Sequence, residues 1–174
     1  MSSTAPSRDP IPIRELTKHP LVAISADLSV GEALDMARTR GVHHLPVCRG
    51  SELQGMLCTC DLFEAPRSAW VRDLMRREVV QLSLDGTAED AARLMRTHGV
   101  GSVLVTDGGV PFGIVTRGDL FEKAPEVSDS EGLLRCECCE AVRHLVQLPD
   151  GRTLCVECRD RASGRGPYDV GGPG

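Results

Sequence analysis

Aromatic residues are scarce: three Phe, one Trp and one Tyr make up 3% of the 174 residues. So few rings exclude a stacking platform for single-stranded nucleic acid. Positive charge is not in excess either. Twenty Lys and Arg against 25 Asp and Glu leave a net charge of −5, whereas phosphate neutralisation needs a basic surface. No apolar run approaches the roughly 20 residues that span a bilayer. The N-terminal stretch MSSTAPSRDPIPIREL lacks the apolar segment of a signal peptide. The chain is therefore expected to be cytoplasmic, with neither a membrane nor a nucleic acid as partner. What is present is a 41% hydrophobic composition, enough for a core of its own. The length suits one medium domain, or one domain plus a small appendage.

An internal repeat organises the first two thirds. Shifted by 58 residues, positions 13–64 fall on 71–122 without a gap, and 17 of the 52 aligned pairs are identical. Chance would give roughly 3 or 4 at ordinary composition. Ile13-Arg14-Glu15-Leu16 falls on Val71-Arg72-Asp73-Leu74, and Arg38-Thr39-Arg40-Gly41-Val42 falls on Arg96-Thr97-His98-Gly99-Val100. Asp61-Leu62-Phe63-Glu64 falls on Asp119-Leu120-Phe121-Glu122.

Each copy carries the same local signals. An extended piece is expected first, at Leu21–Ile24 and Val79–Leu82. Ser29-x-x-Glu32 and Thr87-x-x-Asp90 then resemble helix-opening boxes, in which a hydroxyl accepts an orphan N–H and the acid favours the positive helix end. Val30, Ala33, Leu34 and Ala37 recur at helical spacing, as do Ala88, Ala91, Ala92 and Met95. Gly41 and Gly99 sit where a helix C-cap wants a left-handed residue. Two β runs follow in each copy, Leu45–Cys48 with Leu53–Leu57 and Ser102–Thr106 with Pro111–Val115, joined by Gly-containing turns. A second short helix opens near Thr59–Asp61 and Thr116–Asp119. The expected class is α+β: β-α-β-β-α twice, the copies packed by a pseudo-twofold because about 58 residues bury their sheet poorly alone.

The layout over residues 12–125 resembles two CBS domains in tandem, a Bateman module. The resemblance rests on Gly41-Val42-His43-His44-Leu45-Pro46-Val47 and Gly55-Met56-Leu57-Cys58-Thr59-Cys60-Asp61 in copy one. In copy two it rests on Gly99-Val100-Gly101-Ser102-Val103-Leu104-Val105 and Gly113-Ile114-Val115-Thr116-Arg117-Gly118-Asp119. It implies a purine-nucleotide site at a Gly-h-h-Ser/Thr-x-x-Asp motif, h being apolar. The Asp would hold ribose hydroxyls and the Ser/Thr a phosphate, roles that suit a carboxylate acceptor and a hydroxyl donor. Copy two matches with Thr116 and Asp119. Copy one keeps Asp61 but has Cys58 for the hydroxyl, so a weak second site is expected there. By the same resemblance His43 and His44 reach the phosphates from the other repeat, Val79 and Val80 flank the base, and Arg117 is a further phosphate candidate. Thr116-x-x-Asp119 is also a capping box in its own right. A purely structural use of these residues stands beside the nucleotide reading, and so does another ligand.

Five of the eight cysteines lie between Cys136 and Cys158. Cys136-Glu137-Cys138-Cys139, 15 intervening residues and Cys155-Val156-Glu157-Cys158 match zinc-site spacing. Cys136, Cys139, Cys155 and Cys158 supply four soft ligands for a closed tetrahedral structural Zn²⁺. Thiol redox chemistry, iron or a cluster, and disulfides are the competing readings. A hairpin over Val142–Leu148 and Arg152–Leu154 is expected between the knuckles, and the whole resembles a zinc ribbon. The resemblance implies a nucleic acid or a protein as the ribbon's partner; six acids and six Arg in residues 131–165 leave no net field for DNA, and a protein is the expectation. Cys58-Thr59-Cys60 is a weak pair, best read as small residues at a helix entry.

The expected segments are 1–11 disordered, 12–66 and 67–125 the repeats, 126–134 a polar linker, 135–161 the ribbon and 162–174 a disordered tail. No nucleophile–base–oxyanion set is visible. The expected function is a non-enzymatic sensor binding an adenine nucleotide or related adenosyl ligand. The alternative is a structural dimerisation or interaction module without small ligand. A homodimer is expected, with the Ala-rich helical stripes available to pack closely.

Overall fold

The computed structural model describes residues 9–62, 65–137 and 145–163. It divides into two compact units, Met1–Glu131 and Gly132–Gly174. Among the described residues no helix is long and apolar enough to cross a membrane.

Unit one is the repeat pair. Copy one runs α1 (Ile13–Leu16), α2 (Val30–Arg40), β1 (His44–Arg49), β2 (Glu52–Cys58) and a 3₁₀ turn at Thr59–Leu62. Copy two runs α3 (Val71–Leu74), β3 (Gln81–Ser83), α4 (Ala88–His98), β4 (Ser102–Asp107), β5 (Val110–Thr116) and α5 (Arg117–Lys123), followed by α6 (Pro125–Ser130). The four long strands extend one residue or less beyond the sequence expectation at each end. Both hairpins are antiparallel and carry a register shift at the same place, between Val47 and Cys48 and between Val105 and Thr106.

Local chemistry sets the long helices. Ser29 Oγ accepts the Glu32 N–H at 3.3 Å while Glu32 Oε2 accepts the Ser29 N–H at 2.8 Å. Thr87 and Asp90 form the same reciprocal box. Gly41 and Gly99 both end their helices at φ 64°, a conformation that costs a Cβ-bearing residue more than glycine. The apolar stripes point inward: Val30, Ala33, Ala88, Ala91 and Ala92 are fully buried, with Ala37 and Met95 nearly so. They fill the chain's own core, so the Ala-rich stripes expected as a dimer surface are not available to a second copy.

Two further expectations need correction. First, the piece before each long helix differs between the copies. In copy two the Leu104 N–H donates to Val80 O at 3.0 Å, and β3 pairs in parallel with β4 from Gln81 to Ser83. That is two residues later than expected. The residue matching Leu104 in copy one is Pro46, which has no N–H to give. Leu21–Ile24 is reduced accordingly to one bridge, Ile24 to Val47. Second, the segment expected as a linker from residue 126 begins in a helix. Pro125 stands at its first turn, where a missing N–H costs little; Val127 and Ser128 are buried, and Ser128 Oγ donates to Ala124 O.

The short helices α1 and α3 were not expected, and they exchange partners. The Ile13 N–H bonds Gly86 O, the Ala88 N–H bonds Ile11 O, and Pro12 bridges Thr87. Thus the segment preceding copy one packs on copy two, and Ile11, placed in a disordered stretch by sequence, is tied down. Reciprocally, Trp70 bridges Ser29, and Val71 belongs to the core of copy one beside Ile24, Leu45, Val47 and Leu57. The pseudo-twofold is therefore an exchange of N-terminal arms. Residues 1–8, in the same expected disordered stretch, lie outside the described residues.

Unit two contains β6 (Leu145–Gln147) antiparallel to β7 (Thr153–Cys155), then α7 (Val156–Ala162). Gly151 turns the hairpin at φ 87°. The first part of the expected hairpin, Val142 to His144, lies outside the described residues, as does the tail from 164. Helix α7 was not expected.

Candidate functional site

Where β5 ends, Thr116 becomes the N-cap of α5 and Asp119 its third residue. Asp119 Oδ2 accepts the Thr116 N–H at 2.8 Å and the Thr116 hydroxyl at 2.6 Å, and Thr116 Oγ1 accepts the Asp119 N–H at 3.3 Å. The capping box is complete, and the hydroxyl proton expected to meet a phosphate is directed at the carboxylate. Asp119 is 1% exposed, so its second oxygen sits where an unmatched charge is costly. Lys18 Nζ stands 2.8 Å from that Oδ1, in an ion pair rather than a well-directed hydrogen bond. The lysine side chain itself is 61% exposed.

Lys18 comes from the other repeat's arm. Its N–H donates to Ile114 O and its carbonyl accepts the Ile114 N–H, at 3.0 and 3.3 Å. The 58-residue shift maps this arrangement onto copy one. There Arg76 exchanges both backbone bonds with Met56, at 2.8 and 2.9 Å, and its Nη2 lies 3.1 Å from Asp61 Oδ1. Asp61 is more open, 31% exposed, and Cys58 stands where Thr116 builds its box. Sequence reasoning missed Lys18 and Arg76. The signal was in the alignment, which places a cation on a cation.

The remaining candidates divide. Arg117 is held on its own repeat: its N–H bonds Gly101 O at 2.9 Å and Nη2 reaches Val100 O at 3.3 Å. Burial lowers the proton affinity of its guanidinium. His44 crosses from copy one toward this loop; a Cβ built on Gly101 would lie 3.8 Å from His44 Cε1 and Nε2. His43 meets Thr59 of its own repeat: Nδ1 is 3.4 Å from Thr59 Oγ1 and its carbonyl accepts the Thr59 N–H. His44 thus approaches the Gly101–Arg117 corner, while His43 occupies the matching corner of copy one. Val79 and Val80 are half-buried in the segment that leads into β3.

In unit two the Cys136, Cys155 and Cys158 sulfurs all lie within 4.8 Å of one another, and all three residues are buried. The Cys158 N–H donates to Cys155 Sγ at 3.4 Å. Glu137 ties the first knuckle to the hairpin: its N–H bonds Thr153 O and its Oε1 accepts the Thr153 N–H. Cys139, the expected fourth ligand, lies outside the described residues, as does Cys138. Four sulfurs about 2.3 Å from a tetrahedral Zn²⁺ are about 3.8 Å apart, so the three described thiols fit such an ion.

Comparison with known proteins bears on the repeat pair. The CBS domain family matches residues 13–68 and again 71–126. An inosine-5′-monophosphate dehydrogenase of Korarchaeum cryptofilum is 30% identical over 120 residues, which cover 66% of this chain and 25% of that enzyme. The chain spans only about a quarter of that relative's length. A solved CBS domain superposes with a TM-score of 0.61 at 28% identity, covering 66% of this chain and 98% of the other. The cytosolic domain of the Mg²⁺ channel MgtE, solved in complex with ATP, superposes with a TM-score of 0.54, also at 28% identity. That match covers 59% of this chain and 44% of the other.

Proposed function

The chain belongs to the CBS-domain family, and on that premise we propose a non-enzymatic regulatory protein with one main ligand site. Copy two takes an adenine nucleotide or related adenosyl ligand. The cysteine-rich unit holds a structural Zn²⁺ through Cys136, Cys139, Cys155 and Cys158 and contacts a protein partner. The observation that carries the nucleotide reading is Asp119. It is a buried carboxylate with one oxygen committed to Thr116 and the other met by an exposed lysine side chain that can move aside. Such an oxygen can accept ribose hydroxyls. The ATP bound by the MgtE domain points to the same ligand class. Asp61, more exposed and beside Cys58, makes the poorer site.

Isothermal titration of the full chain with AMP, ATP and S-adenosylmethionine tests this reading. Asp119→Ala should abolish binding, and Asp61→Ala should leave most of it. Equal loss from both changes would remove the asymmetry. A wild-type chain that binds none of the three favours the second reading, a structural module without ligand. The completed Thr116–Asp119 capping box is the observation on that reading's side.

A homodimer remains part of the proposal, built on surfaces other than the buried Ala stripes. Light scattering is expected to give twice the chain mass, and a monomer at micromolar concentration would overturn it.

In unit two, a zinc ion would supply cross-linking of the two knuckles. With four thiolates there is no open coordination position for chemistry.

A further inference from the structure

Lys18 has no role in the reading above beyond neutralising Asp119, yet its placement bears on which ligands the site can admit. Oδ2 of Asp119 already accepts two hydrogen bonds from Thr116. Oδ1 therefore has to receive any ribose hydroxyl, and Oδ1 is where Lys18 Nζ sits, at 2.8 Å. Ribose and ammonium compete for one oxygen. The backbone of Lys18 cannot withdraw, because both of its polar groups are bonded to Ile114. Its side chain can, being 61% exposed. A displaced ammonium thus remains within the reach of a four-carbon stem, beside whatever occupies the site.

We propose that Lys18 sets the ligand class of the copy-two site. It admits adenosyl ligands that carry a phosphate and disfavours those that are neutral or cationic. A phosphate recaptures the displaced ammonium as a charge-assisted pair. Adenosine offers nothing in exchange, and the sulfonium of S-adenosylmethionine adds a like charge. The inference rests on the nucleotide reading of Asp119. Arg76 over Asp61 repeats the arrangement in copy one, so the device belongs to the exchanged arms and is not an accident of one side chain.

The test is isothermal titration of the full chain with AMP and with adenosine, for wild type, Lys18→Met and Lys18→Gln. Wild type should bind AMP on the order of tenfold more tightly than adenosine, the effect of one charge-assisted contact. Lys18→Met removes both the competitor and the phosphate partner, so adenosine should gain, AMP should lose and the ratio should fall toward one. Lys18→Gln keeps an N–H for Oδ1 without the charge. It should collapse the ratio equally, and it carries the test if circular dichroism shows that Lys18→Met does not fold. An unchanged ratio in a folded variant, or a wild type that binds adenosine as tightly as AMP, overturns the role of Lys18 and leaves the site standing. A wild type that binds neither overturns the nucleotide reading, and this inference with it.

Discussion

Replacing Cys155 with Ser, or treating the chain with a strong chelator, should open the C-terminal unit to protease at residues 145–163 while the repeat pair stays protected. The reason lies in what the unit has for a core. Its buried cluster is Cys136, Leu154, Cys155 and Cys158, with Leu145 and Leu148 packed against it. Three of the four buried members are proposed ligands. Taking away the ion removes the cross-link and leaves those thiols to hold the unit together by burial alone, which a segment of this size cannot do. Structural zinc contributes roughly 10–16 kcal/mol of apparent binding energy in small metallo-domains, more than enough to decide whether the unit folds. The repeat pair has a core of its own, built from side chains such as Leu45, Leu57, Leu104 and Leu120, and should keep its thermal transition. Elemental analysis of protein purified without chelator should find about one zinc per chain in wild type and far less in Cys155→Ser. Full protease resistance after chelation, or a metal-free wild type whose unit loosens on reduction, would sink the zinc assignment.

The second large effect is expected from one methyl group. A Cβ at Gly113 would collide with Thr17 Cγ2 and lie 2.6 Å from the Lys18 carbonyl oxygen. That oxygen is held by the Ile114 N–H, so it can yield only by undocking the arm. Gly113→Ala should therefore destabilise the repeat pair by about 2–3 kcal/mol. The melting temperature should fall by roughly 5–10 °C. The comparator is Gly101→Ala, whose new methyl would find its nearest neighbours, His44 Cε1 and Nε2, at an ordinary 3.8 Å. It should change stability by well under 1 kcal/mol. Equal melting temperatures for the two variants would mean that the Thr17–Lys18 arm does not dock where copy two places it. Because Lys18 reaches Asp119 from that arm, Gly113→Ala should also weaken nucleotide binding.

These two cases mark where sequence reasoning succeeds and where it stops. The cysteine spacing made Cys136, Cys155 and Cys158 legible as neighbours before any geometry, because two closely spaced pairs facing each other across a hairpin leave little freedom for their sulfurs. Nothing in the local pattern around Gly113 says that another segment's backbone passes over it. A strand glycine is a weak signal for close approach, and only the docked arm identifies the neighbour. Asp119 lies between the two. Its motif was visible, and so was the rival capping box, which the geometry completes. Its partner Lys18 belongs to a different arm and a different copy.

By itself the sequence determined the duplication, the helix-opening boxes at Ser29 and Thr87, the left-handed ends at Gly41 and Gly99, and the four long strands. Each depends on contacts spanning a few residues, and the 58-residue repeat states each of them twice. Tertiary structure alone decided the exchange of arms, the inward fate of the Ala stripes, and the cations facing Asp61 and Asp119. It also decided the loss of a strand at Leu21–Ile24, where Pro46 cannot donate to a neighbour that the sequence does not name. The physical reason is common to all four. An apolar stripe, a charge or an unpaired carbonyl specifies that it needs a partner, but which partner it finds depends on segments distant in the chain coming together when the core closes.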